Sequence, residues 1–150
     1  MKEAIIYAIG SLVDQIRDQK DLKAMMEPML LQYILPELSN PQPFLRMRAL
    51  WMYGEFGSHR FKDEAHIKSA IDAVYKCLHE PNELPVRLTA ATSIHKLLNN
   101  ETAAELLKPA LKTVLEAYLK LMTEIESEEL VSALEEIVSH FKDDIEPYAV

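Results

Sequence analysis

The stretch Asn40–Phe56, NPQPFLRMRALWMYGEF, decides the fold. It opens on a turn signal, Asn40-Pro41-Gln42-Pro43. It continues with apolar residues at Leu45, Ala49, Met52, Tyr53 and Phe56, whose offsets trace one face of an α-helix. Pro43 suits the first turn of a helix, where its missing N–H costs nothing. The spacing predicts a helix over 43–58.

The outline recurs. Leu45-Arg46-x-x-Ala49 matches Val86-Arg87-x-x-Ala90 at a spacing of 41 residues, and Phe56 falls on Leu97 at the same 41. Leu130-Val131-x-x-Leu134 follows Val86 by 44, and Phe141 follows Leu97 by 44. Gly10-Ser11-Leu12 precedes Gly54-Glu55-Phe56 by 44. Between successive copies lies room for one more helix. A unit of this length with two helices falls in the HEAT/armadillo range, not the shorter tetratricopeptide or ankyrin range.

Outward from the repeat, periodicity predicts helices over 2–17, 22–38, 43–58, 63–79, 84–98, 102–122 and 128–142, and no strands. The inward set of 22–38 is Met25, Met26, Met29, Leu30, Tyr33, Ile34 and Leu38. That of 128–142 is Leu130, Leu134, Ile137, Val138 and Phe141. Prolines mark expected irregularities at Pro28, Pro36 and Pro109. Asp63 and Ser127 are predicted N-caps. The fold class is all-α, an α-solenoid of about three and a half HEAT helix pairs forming a right-handed superhelical segment. The expectation is one segment, 1–150, of a longer array, because Ile5, Ile6, Ile9 and Val13 open the chain without a polar cap. A compact helical bundle closing on itself is the alternative.

Small residues at Ala49 and Ala90 let helices approach closely. Arg46 and Arg87 are read as structural, with Asn40 and Asn82 in the preceding turns as their partners. The fourth copy has Val131 in place of the arginine.

Composition fits this reading. Of 150 residues, 49% are apolar and 27% charged, with three glycines, too few for phosphate-cradling loops or a turn-rich sheet protein. Cys77 is alone, which excludes an intrachain disulfide and points to a reducing compartment. Apolar runs are too short to span a bilayer. The net charge of −8 sits in the last third: residues 1–100 balance, while 101–150 carry four lysines against twelve acids. That stretch is either a solvated helix face or a surface for a basic partner. Direct nucleic-acid binding is disfavoured, since phosphate contacts need clustered Lys and Arg.

The segments Lys2–Leu12, Glu27–Phe56, Leu84–Ile94 and Leu121–Ala149 together resemble the middle of nuclear transport receptors of the importin-beta superfamily, and within it the subgroup of importins seven and eight. Each piece alone is only HEAT-like; their order across the chain carries the likeness. The resemblance implies a carrier that wraps protein cargo, basic cargo in that subgroup, inside a HEAT superhelix. It implies release by Ran-GTP, contact with FG-repeat nucleoporins, and shuttling between cytoplasm and nucleus. It places the second helix of each repeat, here 2–17, 43–58, 84–98 and 128–142, on the concave surface.

Candidate partner-binding residues are Trp51, which either packs on the next repeat or anchors a partner, and the acidic set Glu124, Glu126, Glu128, Glu129, Glu135 and Glu136. No catalytic, cofactor or metal residue is expected. Asp63-Glu64-Ala65-His66 spells a helicase box but lacks the phosphate-binding loop that box requires, so it reads as a helix start. His59 and His66, or Cys77 and His79, lack metal-ligand spacing. Asn100-Glu101-Thr102 is a glycosylation sequon by letters only. The runner-up function is another HEAT or armadillo scaffold, such as a phosphatase, translation or coat subunit. The third class is an enzyme on a helical bundle, using Glu128/Glu129 or His66.

Overall fold

The computed structural model describes residues 4, 8, 20–56, 63–79 and 82–142. The helix expected over 2–17 lies outside them, apart from Ala4 and Ala8, which are helical. Helix α1 spans Lys20–Met29 and runs into a wide π turn, Leu30–Ile34, and a tight 3-10 turn, Leu35–Ser39. Then follow α2 (Pro43–Glu55), α3 (Glu64–Cys77), α4 (Leu84–Leu97) and α5 (Glu101–Leu107). A 3-10 turn at Lys108–Ala110 leads to α6 (Leu111–Glu124), and α7 spans Glu128–His140.

Two expected helices are broken. The one predicted over 22–38 stops being α-helical at Met29. Pro36 has no N–H to return to the previous turn, and its ring crowds the carbonyl four residues back. The chain widens instead, with the Leu35 N–H reaching back to the Leu30 carbonyl. Met26, Leu30, Ile34 and Leu38 are buried, but Met25 and Tyr33, both expected inside, are 66% and 61% exposed. Met25 sits one residue, about 100°, off the Met26–Leu30 face. Pro28 stands inside α1 and does not end it. The helix predicted over 102–122 is split at Pro109 into α5 and α6, for the same reason as at Pro36.

Side-chain caps start α3, α5 and α7. The Asp63 carboxylate accepts the Ala65 N–H at 2.9 Å, and Ser127 Oγ accepts the Leu130 N–H at 3.3 Å. Asn100, expected in a loop, accepts the Ala103 N–H at 3.2 Å and starts α5 at Glu101. Each cap supplies an acceptor that the first turn lacks.

The helices form two layers. In one, α2 lies along α4 and α4 along α7; in the other, the Leu35–Ser39 turn packs on α3 and α3 on α5. Contacts of α3 with α4 and of α6 with α7 join the layers. The molecule is an all-α solenoid of HEAT type, and among the described residues no strand occurs. Its centre is α4, which buries Val86, Ala90, Ala91, Ser93, Ile94 and Leu97, most of its circumference, because neighbours cover it on three sides.

The α2–α4 approach is close. A Cβ on Gly54 would stand 3.3 Å from Ser93 Oγ. That hydroxyl is fixed, donating to the Leu50 carbonyl at 2.8 Å, so a buried polar atom is satisfied across the two helices. The buried Tyr118 hydroxyl of α6 likewise donates to the Ala91 carbonyl of α4.

Candidate partner-binding surface

Two arginines tie the turns of the stack together. Arg46 Nη1 donates to the Asn40 and Pro41 carbonyls at 2.8 and 3.3 Å, while Nη2 bonds the Glu83 carboxylate. Arg87 Nε donates to the Asn82 carbonyl at 3.1 Å, while its two terminal nitrogens grip Glu124 at 3.2 and 3.0 Å. The expectation that Asn40 and Asn82 receive these arginines holds for the positions. The acceptors are their backbone carbonyls, and the charge comes from an acid of the following unit. Arg46 and Arg87 are 41 residues apart, and so are Glu83 and Glu124, so one rung is the other translated by one repeat.

The rungs differ in depth. Glu124 is 31% exposed and Glu83 52%. The Arg87 hydrogen bonds hold the Glu124 carboxyl below the usual carboxylate range. Glu83 is also held low, by its own backbone N–H first and by Arg46 second. A fork of two charge-assisted bonds from a planar guanidinium fixes orientation as well as distance.

The next position in the ladder carries no arginine. A cleft of about 800 Å³ opens between the end of α6 and the start of α7, lined by Met122, Ile125, Glu126, Ser127, Glu128, Val131 and Ser132. Its walls are apolar at Met122, Ile125 and Val131, and its acids are Glu126 and Glu128. On α7, Glu128, Val131, Glu135 and Val138 recur at helical spacing on one exposed face. Val138, expected inward, is 41% exposed, and Ala133 takes the buried place instead. The reason is position: α4 packs on one flank of α7, and Val131 and Val138 lie on the other.

The acidic candidates therefore divide. Glu126 and Glu128 are brought together in the cleft. Glu129 and Glu135 are exposed on α7. Glu136 meets His95 Nε2 of α4 at 3.5 Å, and Glu124 is engaged by Arg87. Trp51 lies apart on α2, half-buried, with the Arg48 guanidinium 5.8 Å from its ring centre. His66 is buried in the core, and the Cys77 thiol is buried too, donating to the Leu38 carbonyl at 3.5 Å with its pKa pushed up by burial. Sequence reasoning missed Glu83 and Ser93 as partners across repeats. The 41-residue echo of Glu83 in Glu124 was the available signal.

The chain is similar to the probable importin-7 homolog of Dictyostelium discoideum, 36% identical over 149 residues, and to the importin beta-like SAD2 homolog of Arabidopsis thaliana, 32% over 150. It is similar to importin-8 of Mus musculus at 26% over 150. These matches cover 99 to 100% of this chain and 14 to 15% of the relatives, so the chain spans about one seventh of their length. No family model matches the chain. No solved structure matches it. The likeness extends over nearly the whole chain in relatives from different organisms, and it supports a segment of the importin-beta family.

Proposed function

We propose that this chain is a non-enzymatic scaffold segment of a nuclear transport receptor, which binds protein cargo and carries it through the nuclear pore under Ran-GTP control. The observation that carries the reading is the match to proteins named importins along nearly the whole chain. In this reading the α2, α4 and α7 layer faces cargo. Trp51 and the acids Glu126, Glu128, Glu129 and Glu135, which form no ion pair among the described residues, are its contact groups, with Glu136 beside them. The charge of the last third selects basic segments, whose approach it steers over distances up to the Debye length. Ran and FG-nucleoporins engage the full-length receptor, which shuttles between cytoplasm and nucleus without a cofactor. Among the described residues no helix is long and apolar enough to cross a membrane.

The test is capture from lysate with the full-length receptor, with and without Ran loaded with a non-hydrolysable GTP analogue. Partners released by Ran-GTP support the reading. A set of partners indifferent to Ran-GTP overturns it and favours a general HEAT scaffold.

A further inference from the structure

The core contains a chain of polar groups that packing alone does not require. Tyr53 Oη of α2 lies 2.9 Å from His66 Nε2 of α3 and 3.3 Å from the Leu30 carbonyl. On the other side of the imidazole, His66 Nδ1 faces Glu27 Oε1 of α1 at 3.7 Å. Glu27 Oε1 also accepts the Asp63 N–H at 2.8 Å, which ties the first turn of α3 to α1. His66 and Tyr53 are buried, at 1% and 0% exposure. Three elements thus meet at one titratable ring.

We propose that Glu27, His66 and Tyr53 form a buried proton-binding joint, in which the Tyr53 hydroxyl turns from His66 to the Leu30 carbonyl when the ring takes up a proton. The argument is one of donors and acceptors. A neutral imidazole has one N–H and one bare nitrogen. With the carboxylate on the Nδ1 side, the N–H belongs on Nδ1, and Nε2 accepts the Tyr53 O–H. Protonation from solvent places a second N–H on Nε2, which then donates to the Tyr53 oxygen. The Tyr53 O–H must find another acceptor, and the Leu30 carbonyl stands within reach. In each protonation state the Tyr53 hydroxyl has an acceptor, while the Nδ1–Glu27 contact at 3.7 Å stays electrostatic, and one bond changes hands.

The groups that face the ring among the described residues set the direction. Burial lowers the His66 pKa from its ordinary value, opposed by Glu27 and, more weakly, by Asp63. The lowered pKa favours the neutral ring at physiological pH, and protonation requires acidification. The hand-over bears on the π turn, because the Leu30 carbonyl already accepts the Leu35 N–H. A proton on α3 is thereby coupled to the backbone that precedes α2.

The test is a nitrogen-detected NMR titration of the 150-residue chain. At neutral pH, His66 is expected as the Nδ1–H tautomer. On acidification the Leu35 amide should shift with the same midpoint as the His66 ring. In Tyr53→Phe the ring should still titrate while the Leu35 amide no longer follows it. In Glu27→Gln the midpoint should fall by about one unit or more, since a carboxylate favouring the imidazolium has gone. An Nε2–H neutral tautomer overturns the proposal. So does a Leu35 amide that ignores the titration in the native chain, or a midpoint unmoved by Glu27→Gln. The tautomer and the native Leu35 titration decide the matter even where a variant fails to fold.

Discussion

Arg87 and Glu124 stand 37 residues apart in the chain and meet as a two-bond pair at 3.2 and 3.0 Å. Arg46 and Glu83 meet at the same separation of 37. Two successive units of the stack are thus each laced by an arginine, which bonds its own preceding turn and the acid of the next unit. Replacing Arg87 with Leu should lower the thermal midpoint more than replacing Arg46 with Leu, because Glu124 is the less exposed acid. Arg87→Lys should recover only part of the loss, since an ammonium cannot present the planar fork. Calorimetry of the three variants checks the order.

The same pairs set an acid limit. Glu83 and Glu124 have folded pKa values below the ordinary 4.5. Their contribution is fully present above the unfolded value and is lost as pH falls through the folded one. Urea midpoints should therefore drop from about pH 4.5 downward. The loss should be shallower in an Arg46→Gln/Arg87→Gln double variant, which starts from a lower midpoint. Parallel pH profiles for the two proteins would refute this.

Gly54 marks the closest approach of α2 and α4. Gly54→Ala gains about 1 kcal/mol of helix propensity and meets Ser93 Oγ at 3.3 Å, so its net effect should be small. Gly54→Leu has no such room and should cost about 1–3 kcal/mol by overpacking. Chemical denaturation measures both; a neutral Gly54→Leu would mean that the helices separate freely.

Ser127 closes the first turn of α7 through the Leu130 N–H. Ser127→Ala should cost about 1 kcal/mol, and Ser127→Asp should recover most of it. Because Ser127 also lines the cleft, hydrogen exchange at Leu130 separates loss of the cap from a change in binding.

The cleft predicts a charge-dependent interaction. Lys- and Arg-rich peptides should bind the chain weakly, with affinity falling as salt rises. A Glu126→Lys/Glu128→Lys double variant should abolish most of that binding and leave the fold unchanged, since both side chains are exposed. Fluorescence anisotropy at two salt concentrations reads it. Binding that ignores both salt and the double variant would remove the cleft as the site.

Much of this was legible in the letters. The 41-residue echo of Leu45-Arg46-x-x-Ala49 in Val86-Arg87-x-x-Ala90 needs no coordinates to be read as a repeat. Asp63 and Ser127 are caps by residue type alone, and the break at Pro109 follows from a missing N–H. Val138 and Met25 were harder. Helical periodicity names a stripe about a third of a turn wide, but which edge of the stripe is covered depends on the neighbouring helix.

The sequence by itself determined an all-α repeat and its likeness to importins, because periodicity, capping and the absence of an N–H in proline are local properties. Only the tertiary structure decided which acids are spoken for. Glu124 and Glu126 are two residues apart with the same side chain, yet one is held by Arg87 from a helix 37 residues earlier and the other opens onto a cleft. An ion pair between distant residues depends on where the stack places the two chains in space, and no local pattern records that distance.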